Sequence, residues 1–502
     1  MPQSTTLVYA FVGVFGVKIL LDYVNRIVHR APYPPGPPPK PLVGNIFDLP
    51  VKVPAERYIE WSKKYDSPVV YAEALGSRLI VINKREDAIE LCERRAKIYS
   101  DRPHIPMVNL MAWNHNIAFL GYGDEWRRHR KLCQQSFNFV ASQQYHSIQM
   151  NGVEQFLRSL CDTPEDFDAH SRMLSVSITM EMMYGIKIKS IDEPCITIAD
   201  EAIKLGTDLL VPSGSLVNIL PILRHVPAWF PGATSLKRAE RVRRMTEIVM
   251  KIPVDQVKAA FEEGKASASF YTNFIEKKQT LGASEEEEEM VRNIAYTTVS
   301  STGSFLYFMA VNPDVQKKAQ EEIDRLTGSK RLPTLEDRQS LPFVEAIYRE
   351  VMRMRPPLPL GVPHRVVEDD YYKGYLIPKG ATIFTNIWAM CYEEEDYPDP
   401  YTFKPERFFD KNGKLNDDDR VLAFGFGRRV CVGKYIASST LWLMMASVLA
   451  CFNVVKAKDD NGNEIEINHE IEDLGLLNQK AKFKCSFQVR SPAIKKLIVD
   501  GQ

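Results

Sequence analysis

"FGFGRRVCVG", residues 424–433, sets one cysteine between glycines and beside two arginines. Structural cysteines usually sit among apolar side chains. A Gly-rich, cationic loop instead favours ionisation of a thiol. Gly427 and Gly433 permit tight turns and close backbone approach. The next run, "VGKYIASSTLWLMMASVLACF", reads as an apolar helix, so its first amides can face the Cys431 sulfur. Phe424 would shield one side of that sulfur from water. Arg429 would meet an acidic group on a bound ligand. The stretch reads as a loop built to present a thiolate.

The chain has 502 residues, 45% hydrophobic and 25% charged, the profile of a globular protein. Formal net charge is zero, so no global field favours nucleic acid, and a charged partner must be met by a local patch. Eight cysteines, none spaced CxxC, argue against a zinc site or a disulfide framework.

The N-terminus differs from the rest. "LVYAFVGVFGVKILL", Leu7 to Leu21, holds one charge, Lys18. Extended to Thr5–Val24 it reaches the length of a membrane span. Arg26, His29 and Arg30 follow, which keeps the downstream side cytoplasmic. A cleaved signal peptide is the alternative, but no small-x-small site precedes the prolines. Residues 1–30 therefore read as an uncleaved signal anchor. Six of the eight residues 32–39 are proline, so 31–45 reads as a stiff hinge. Residues 46–502 show no repeat and no further linker. "SPVVYAEALGSRLIVIN" reads as two strands around Gly76-Ser77. Helical patterns dominate from about residue 120 to 320, and short strand-like runs follow residue 360.

Further constellations accompany the cysteine. Glu350 and Arg353 stand at i and i+3 and share a helix face. Arg407, in "KPERF", can join them. Trp126 and Arg130, in "WRRHR", also share a face and offer an indole N–H and a guanidinium to carboxylates. His364 lies in "GVPHRVV", with Arg365 as the adjacent alternative.

A sheltered thiolate is a good axial ligand for haem iron, the arrangement of the cytochrome P450 family. The chain resembles that family in specific terms, best its membrane-bound fungal monooxygenases. Phe424, Gly427, Arg429, Cys431 and Gly433 match its haem-ligand pattern F-x-x-G-x-R-x-C-x-G. Glu350, Arg353 and Arg407 match its structural triad, and Trp126, Arg130 and His364 its haem-propionate donors. The matches run in order from Pro34 to Arg490. The resemblance implies a mainly α fold with small β sheets, one large P450-like haem domain behind an N-terminal membrane anchor. It implies haem b (iron protoporphyrin IX) on the Cys431 thiolate and insertion of one atom of dioxygen into a lipophilic substrate, in secondary metabolism or xenobiotic oxidation. Electrons would come from an NADPH-cytochrome P450 reductase, with cytochrome b5 a second donor. The site would be the endoplasmic reticulum membrane, single-pass, with the catalytic domain cytosolic. "RRHRK" (127–131), Arg428 and Lys434 would form the basic face for the reductase.

One segment departs from the family pattern. The oxygen-activating helix usually carries [AG]-G-x-[DE]-T, and the aligned stretch here is "NIAYT". Thr297 takes the threonine position, Tyr296 replaces the acid, and Ile294 replaces the glycine. The helix also reads about ten residues short, which shifts it by about 15 Å of rise. The expectation is a lost segment and poor coupling of oxygen reduction to substrate oxidation. Alternatives are a haem-binding chain deficient in turnover, or a reductase-independent haem-thiolate isomerase or dehydratase. The pocket is expected to be lined by 104–123, the region 206–221 and the turn 474–478.

Overall fold

The computed structural model describes residues 32–50, 52–211, 214–281 and 301–500. The expected anchor of residues 1–30 and the stretch with Ile294, Tyr296 and Thr297 lie outside the described residues. Within them the chain is mainly helical, with a four-stranded sheet and three two-stranded ones.

The run "DEWRRHRKLCQQSF" is helical from end to end, Asp124–Phe137. Asp124 and Glu125 in the first turn complement the helix dipole. Trp126, His129, Cys133 and Phe137 recur at helical spacing and form its buried face. That face joins the main apolar core, together with the buried half of helix Lys434–Cys451. Lys434–Cys451 is the one described helix long and apolar enough to cross a bilayer, and Trp442 to Cys451 are all buried inside the protein. It is a core helix.

The larger sheet orders its strands Val69–Ala74, Ser77–Ile82, Thr382–Thr385 and His364–Arg365. The first two form the expected hairpin, but its turn is Leu75-Gly76, one residue earlier than read from sequence. Both turn residues adopt positive φ, 48° and 84°, which matches the twist of the strands. Thr382–Thr385 runs parallel to the second strand, and His364 pairs with Ile383. An isolated bridge joins Asp101 to Arg365. The sheet thus carries residues near 100 and near 364 to one place.

The helical stretch after the hairpin contains a π turn, Glu90–Arg94, closed by the Arg95 amide donating to the Glu90 carbonyl over 3.0 Å. A π turn inside a helix commonly marks a functional junction. This one receives the Cys431 loop. Gly427 has φ +56°, and a Cβ there would stand 2.1 Å from the Cys92 carbonyl oxygen. Glu93 also accepts a hydrogen bond from the Gly427 amide, 3.2 Å. The glycine expected to allow close approach does so here. Gly433 does not: its φ is −90° and nothing lies within 4 Å of a built Cβ.

Candidate active site

Cys431 follows a short turn, Gly427–Arg429, and precedes helix Lys434–Cys451. Its amide donates to the Phe424 carbonyl, 2.9 Å, which closes the loop on itself. Phe424 is half-buried against the main core. Of the eight cysteines, Cys431 alone is exposed. Cys92, Cys133, Cys391, Cys451 and Cys485 are buried, and loss of hydration pushes each thiol up to about 12. Such thiols are inert at neutral pH.

The Cys431 thiol departs from the sequence expectation. The loop was expected to favour ionisation, yet the thiol pKa is raised. Although the residue is exposed, surrounding protein strips much of the thiol's hydration. That desolvation outweighs a hydrogen bond from the Gly433 backbone and the charges of Arg130 and Lys434. A coordinated metal ion would reverse that balance, because metal binding deprotonates a thiol outright.

Cationic side chains converge beside this loop. Arg429 is buried and donates to the carbonyls of Ser100 at 2.7 Å, Leu120 at 2.8 Å and Ile117 at 3.4 Å. Arg130 donates to the Val430 carbonyl at 2.5 Å, one residue before Cys431. Trp126 is buried with its ring 4.4 Å from the Arg429 guanidinium carbon. His364 is buried, and its Nδ1 pairs with the Tyr99 carbonyl at 2.7 Å. Arg365, the alternative to His364, is engaged by Asp101 at 3.2 Å.

Sequence reasoning missed one member. Arg102 is buried and donates to the carbonyls of Ala118 at 2.7 Å, Pro363 at 2.8 Å and Val362 at 2.9 Å. No spacing rule ties Arg102 to Cys431, since 329 positions separate them. The signal was an arginine beside a proline in "SDRPHIP", which alone means little.

The electrostatics of this cluster point to an anion. Burial lowers the pKa of Arg102 well below the ordinary range, and the Arg429 charge lowers it further. Burial brings Arg429 down to about 10, against the pull of Asp101 and with repulsion from Arg130. Burial, then Arg102 and Arg429, push His364 well below its usual value. Asp101 is already shared between Arg365 and the Tyr122 amide. Neutral backbone carbonyls solvate these guanidiniums but do not neutralise them. A ligand bearing carboxylates fits such a donor set.

The predicted triad residues lie together. Arg353 makes a forked pair with Glu350, at 2.7 and 2.9 Å. Arg407 Nε donates to Glu350 Oε1 at 3.1 Å, and the Lys404 amide to the same oxygen at 2.9 Å. The remaining guanidinium nitrogens reach the carbonyls of Cys391, Pro398, Asp399 and Thr402. Burial works against the Arg353 charge, but paired Glu350 more than restores it, and the pKa is raised. Glu350 is fully buried. The triad touches no part of the Cys431 loop through these bonds, so its geometry is that of a brace.

The residues of the expected basic face are partly engaged. Arg127, Arg128, Lys131 and Arg428 are exposed. Arg127 pairs with Asp124 at 2.5 Å, and Arg428 bonds the Tyr122 hydroxyl. Lys434 lies 4.8 Å from the Tyr435 ring centre.

Comparison with known proteins places the chain among relatives of one family. A family model described as cytochrome P450 matches residues 34–487. The cytochrome P450 monooxygenase COX2 of Coprinopsis cinerea is 39% identical, over 93% of this chain and 91% of its own. A cytochrome P450 monooxygenase of Armillaria gallica is 36% identical, over 96% and 97%. The tryptamine 4-monooxygenase of Psilocybe cyanescens is 33% identical, over 95% and 97%.

Proposed function

The chain belongs to the cytochrome P450 family, and we propose that it is a haem-thiolate monooxygenase with Cys431 as the iron ligand. The family carries haem b on a cysteine thiolate. The observation that carries the assignment is that the one exposed cysteine adjoins the buried cationic cluster. In this reading Arg102, Arg130, Arg429 and His364 hold the haem carboxylates, with the Trp126 indole beside them. Bound haem supplies activation of dioxygen, which the thiolate favours by donating electron density.

The chain's own residues do the rest. The Gly433 backbone hydrogen bond steadies the sulfur as a thiolate. Phe424 excludes water from one side. Glu350, Arg353 and Arg407 brace the core beneath. The apolar segments near 104–123, 206–221 and 474–478 bind a lipophilic substrate and keep water away. Thr297 is proposed to help move protons on the oxygen side, with Tyr296 a poor substitute for the usual acid. Residues 1–30 anchor the chain in the endoplasmic reticulum membrane, 31–45 form the hinge, and 46–502 form the cytosolic catalytic domain. An NADPH-dependent reductase docks on the basic face that includes Arg128, Lys131 and Arg428.

Coexpression with a reductase tests this. NADPH and oxygen consumption are measured beside oxygenated product from a panel of lipophilic compounds. The proposal expects reductase-dependent oxygen uptake, with little product per NADPH because of the altered segment near Tyr296. Haem binding without such uptake contradicts a monooxygenase and favours the turnover-deficient alternative.

A further inference from the structure

The Cys431 loop is also gripped from the π turn Glu90–Arg94, and Glu93 supplies the grip. Its carboxylate accepts from the Gly427 amide at 3.2 Å. It also accepts from both terminal nitrogens of Arg420, one of them at 3.4 Å. The same guanidinium lies over the Phe426 ring, 4.8 Å from its carbon to the ring centre. Phe426 is buried, in one apolar cluster with Leu91 and Cys92 of the turn. The loop therefore meets the turn in two ways, through an apolar ring and through a shared carboxylate.

These bonds lead on to the cysteine. The Gly427 carbonyl accepts from the Val430 amide at 3.2 Å, and the Cys431 amide donates to the Phe424 carbonyl at 2.9 Å. Gly427 is thus bound at both of its backbone groups, outward to Glu93 and inward to the residue before Cys431. No side chain fits there, because a Cβ would meet the Cys92 carbonyl. Glycine has the widest backbone freedom of any residue, so its φ of +56° holds only as firmly as its bonds hold it. Arg420 offsets the Glu93 charge, so the carboxylate grips the amide without adding net negative charge beside the loop.

We infer that Glu93 is a positioning residue for the Cys431 sulfur: by holding the Gly427 amide from the π turn, it fixes the loop in the form that keeps thiolate ligation of the iron. This rests on the haem-thiolate reading. A loop held less firmly at Gly427 loses the Val430 bond more often, and the sulfur is then held less firmly too. Glu90 marks the difference between this role and a general one for the turn. It accepts from Arg94 at 3.2 Å and Arg95 at 3.0 Å, which brace the helix itself.

The test uses haem-loaded protein and two isosteric variants, Glu93→Gln and Glu90→Gln. Their side chains are 31% and 25% exposed, so an amide at either position leaves the fold intact. At matched haem content, the reduced protein under carbon monoxide is read as a ratio, the band of lost thiolate ligation over the red-shifted thiolate band. Glu93→Gln is expected to raise that ratio about fivefold, because a neutral amide oxygen accepts more weakly than a carboxylate. Glu90→Gln is expected to stay within about twofold of the original chain. Amide hydrogen exchange provides a second arm. The Gly427 and Val430 amides exchange about fivefold faster in Glu93→Gln, and at the original rate in Glu90→Gln. A ratio that moves alike in both variants, or in neither, overturns the inference. So does unchanged exchange at Gly427 and Val430 in Glu93→Gln. If Glu93→Gln takes up no haem, the exchange arm decides alone. An original chain without the red-shifted band contradicts the haem-thiolate reading, and the exchange arm still decides whether Glu93 holds the loop.

Discussion

The Arg429 guanidinium carbon stands 4.4 Å from the centre of the Trp126 ring. That contact joins the Cys431 loop to helix Asp124–Phe137, and both partners are buried. A cation over an indole face in a dry setting is worth about 2 kcal/mol. It also places a charge where the three backbone carbonyls around it cannot cancel it. With Arg102, Arg130 and His364 nearby, the place is prepared for an anion.

Arg102 therefore should matter for cofactor retention. Arg102→Leu is predicted to weaken haem binding by about tenfold, a cost of about 1.4 kcal/mol. The position of the spectral band should not move, since the iron ligand is untouched. Haem content per chain, measured during dilution, reports the loss. Arg365→Leu serves as the comparison and should change haem content much less, because Arg365 is engaged by Asp101. Equal retention in both variants would remove Arg102 from the carboxylate site.

Glu350 should act on the fold rather than on chemistry. Glu350→Ala leaves Arg353 and Arg407 buried without their counter-charge, at a cost of roughly 3–5 kcal/mol. Little folded holoprotein is expected, read as soluble yield and as the denaturant midpoint of whatever folds. A variant with normal yield, full haem and lost turnover would assign Glu350 a catalytic part instead.

The local pieces were legible in the sequence because their signals are local. Glu350 and Arg353 fall on one helix face by spacing alone, and Asp124–Phe137 declares itself by an acidic first turn and an apolar stripe. Arg407 became readable only through resemblance, since nothing in "KPERF" names its partner. Arg102 was hidden because its role depends on a sheet bridge between Asp101 and Arg365, a contact spanning 264 positions. Gly427 could be marked as a close-approach glycine, but not that it approaches a π turn. Around Cys431 the cationic charge is visible in sequence, whereas the burial that raises its thiol is not.

The segment 1–30 is predicted to hold the protein at the membrane. The full chain should stay with membranes after carbonate extraction, and its body should be open to protease from the cytosolic side. A chain starting at residue 31 should shift largely to the soluble fraction while keeping its haem. A lumenally protected body, or a full chain released by carbonate, would contradict a cytosolic domain behind a signal anchor.

The central claim is that Cys431 holds the haem iron, and the carbon-monoxide difference spectrum of the reduced protein tests it most directly. The original chain and Cys485→Ala, which alters a buried thiol, are predicted to show the red-shifted thiolate band. Cys431→Ala is predicted to lose it and most of its haem. A thiolate band that survives in Cys431→Ala, or vanishes in Cys485→Ala while Cys431 is intact, would contradict the account.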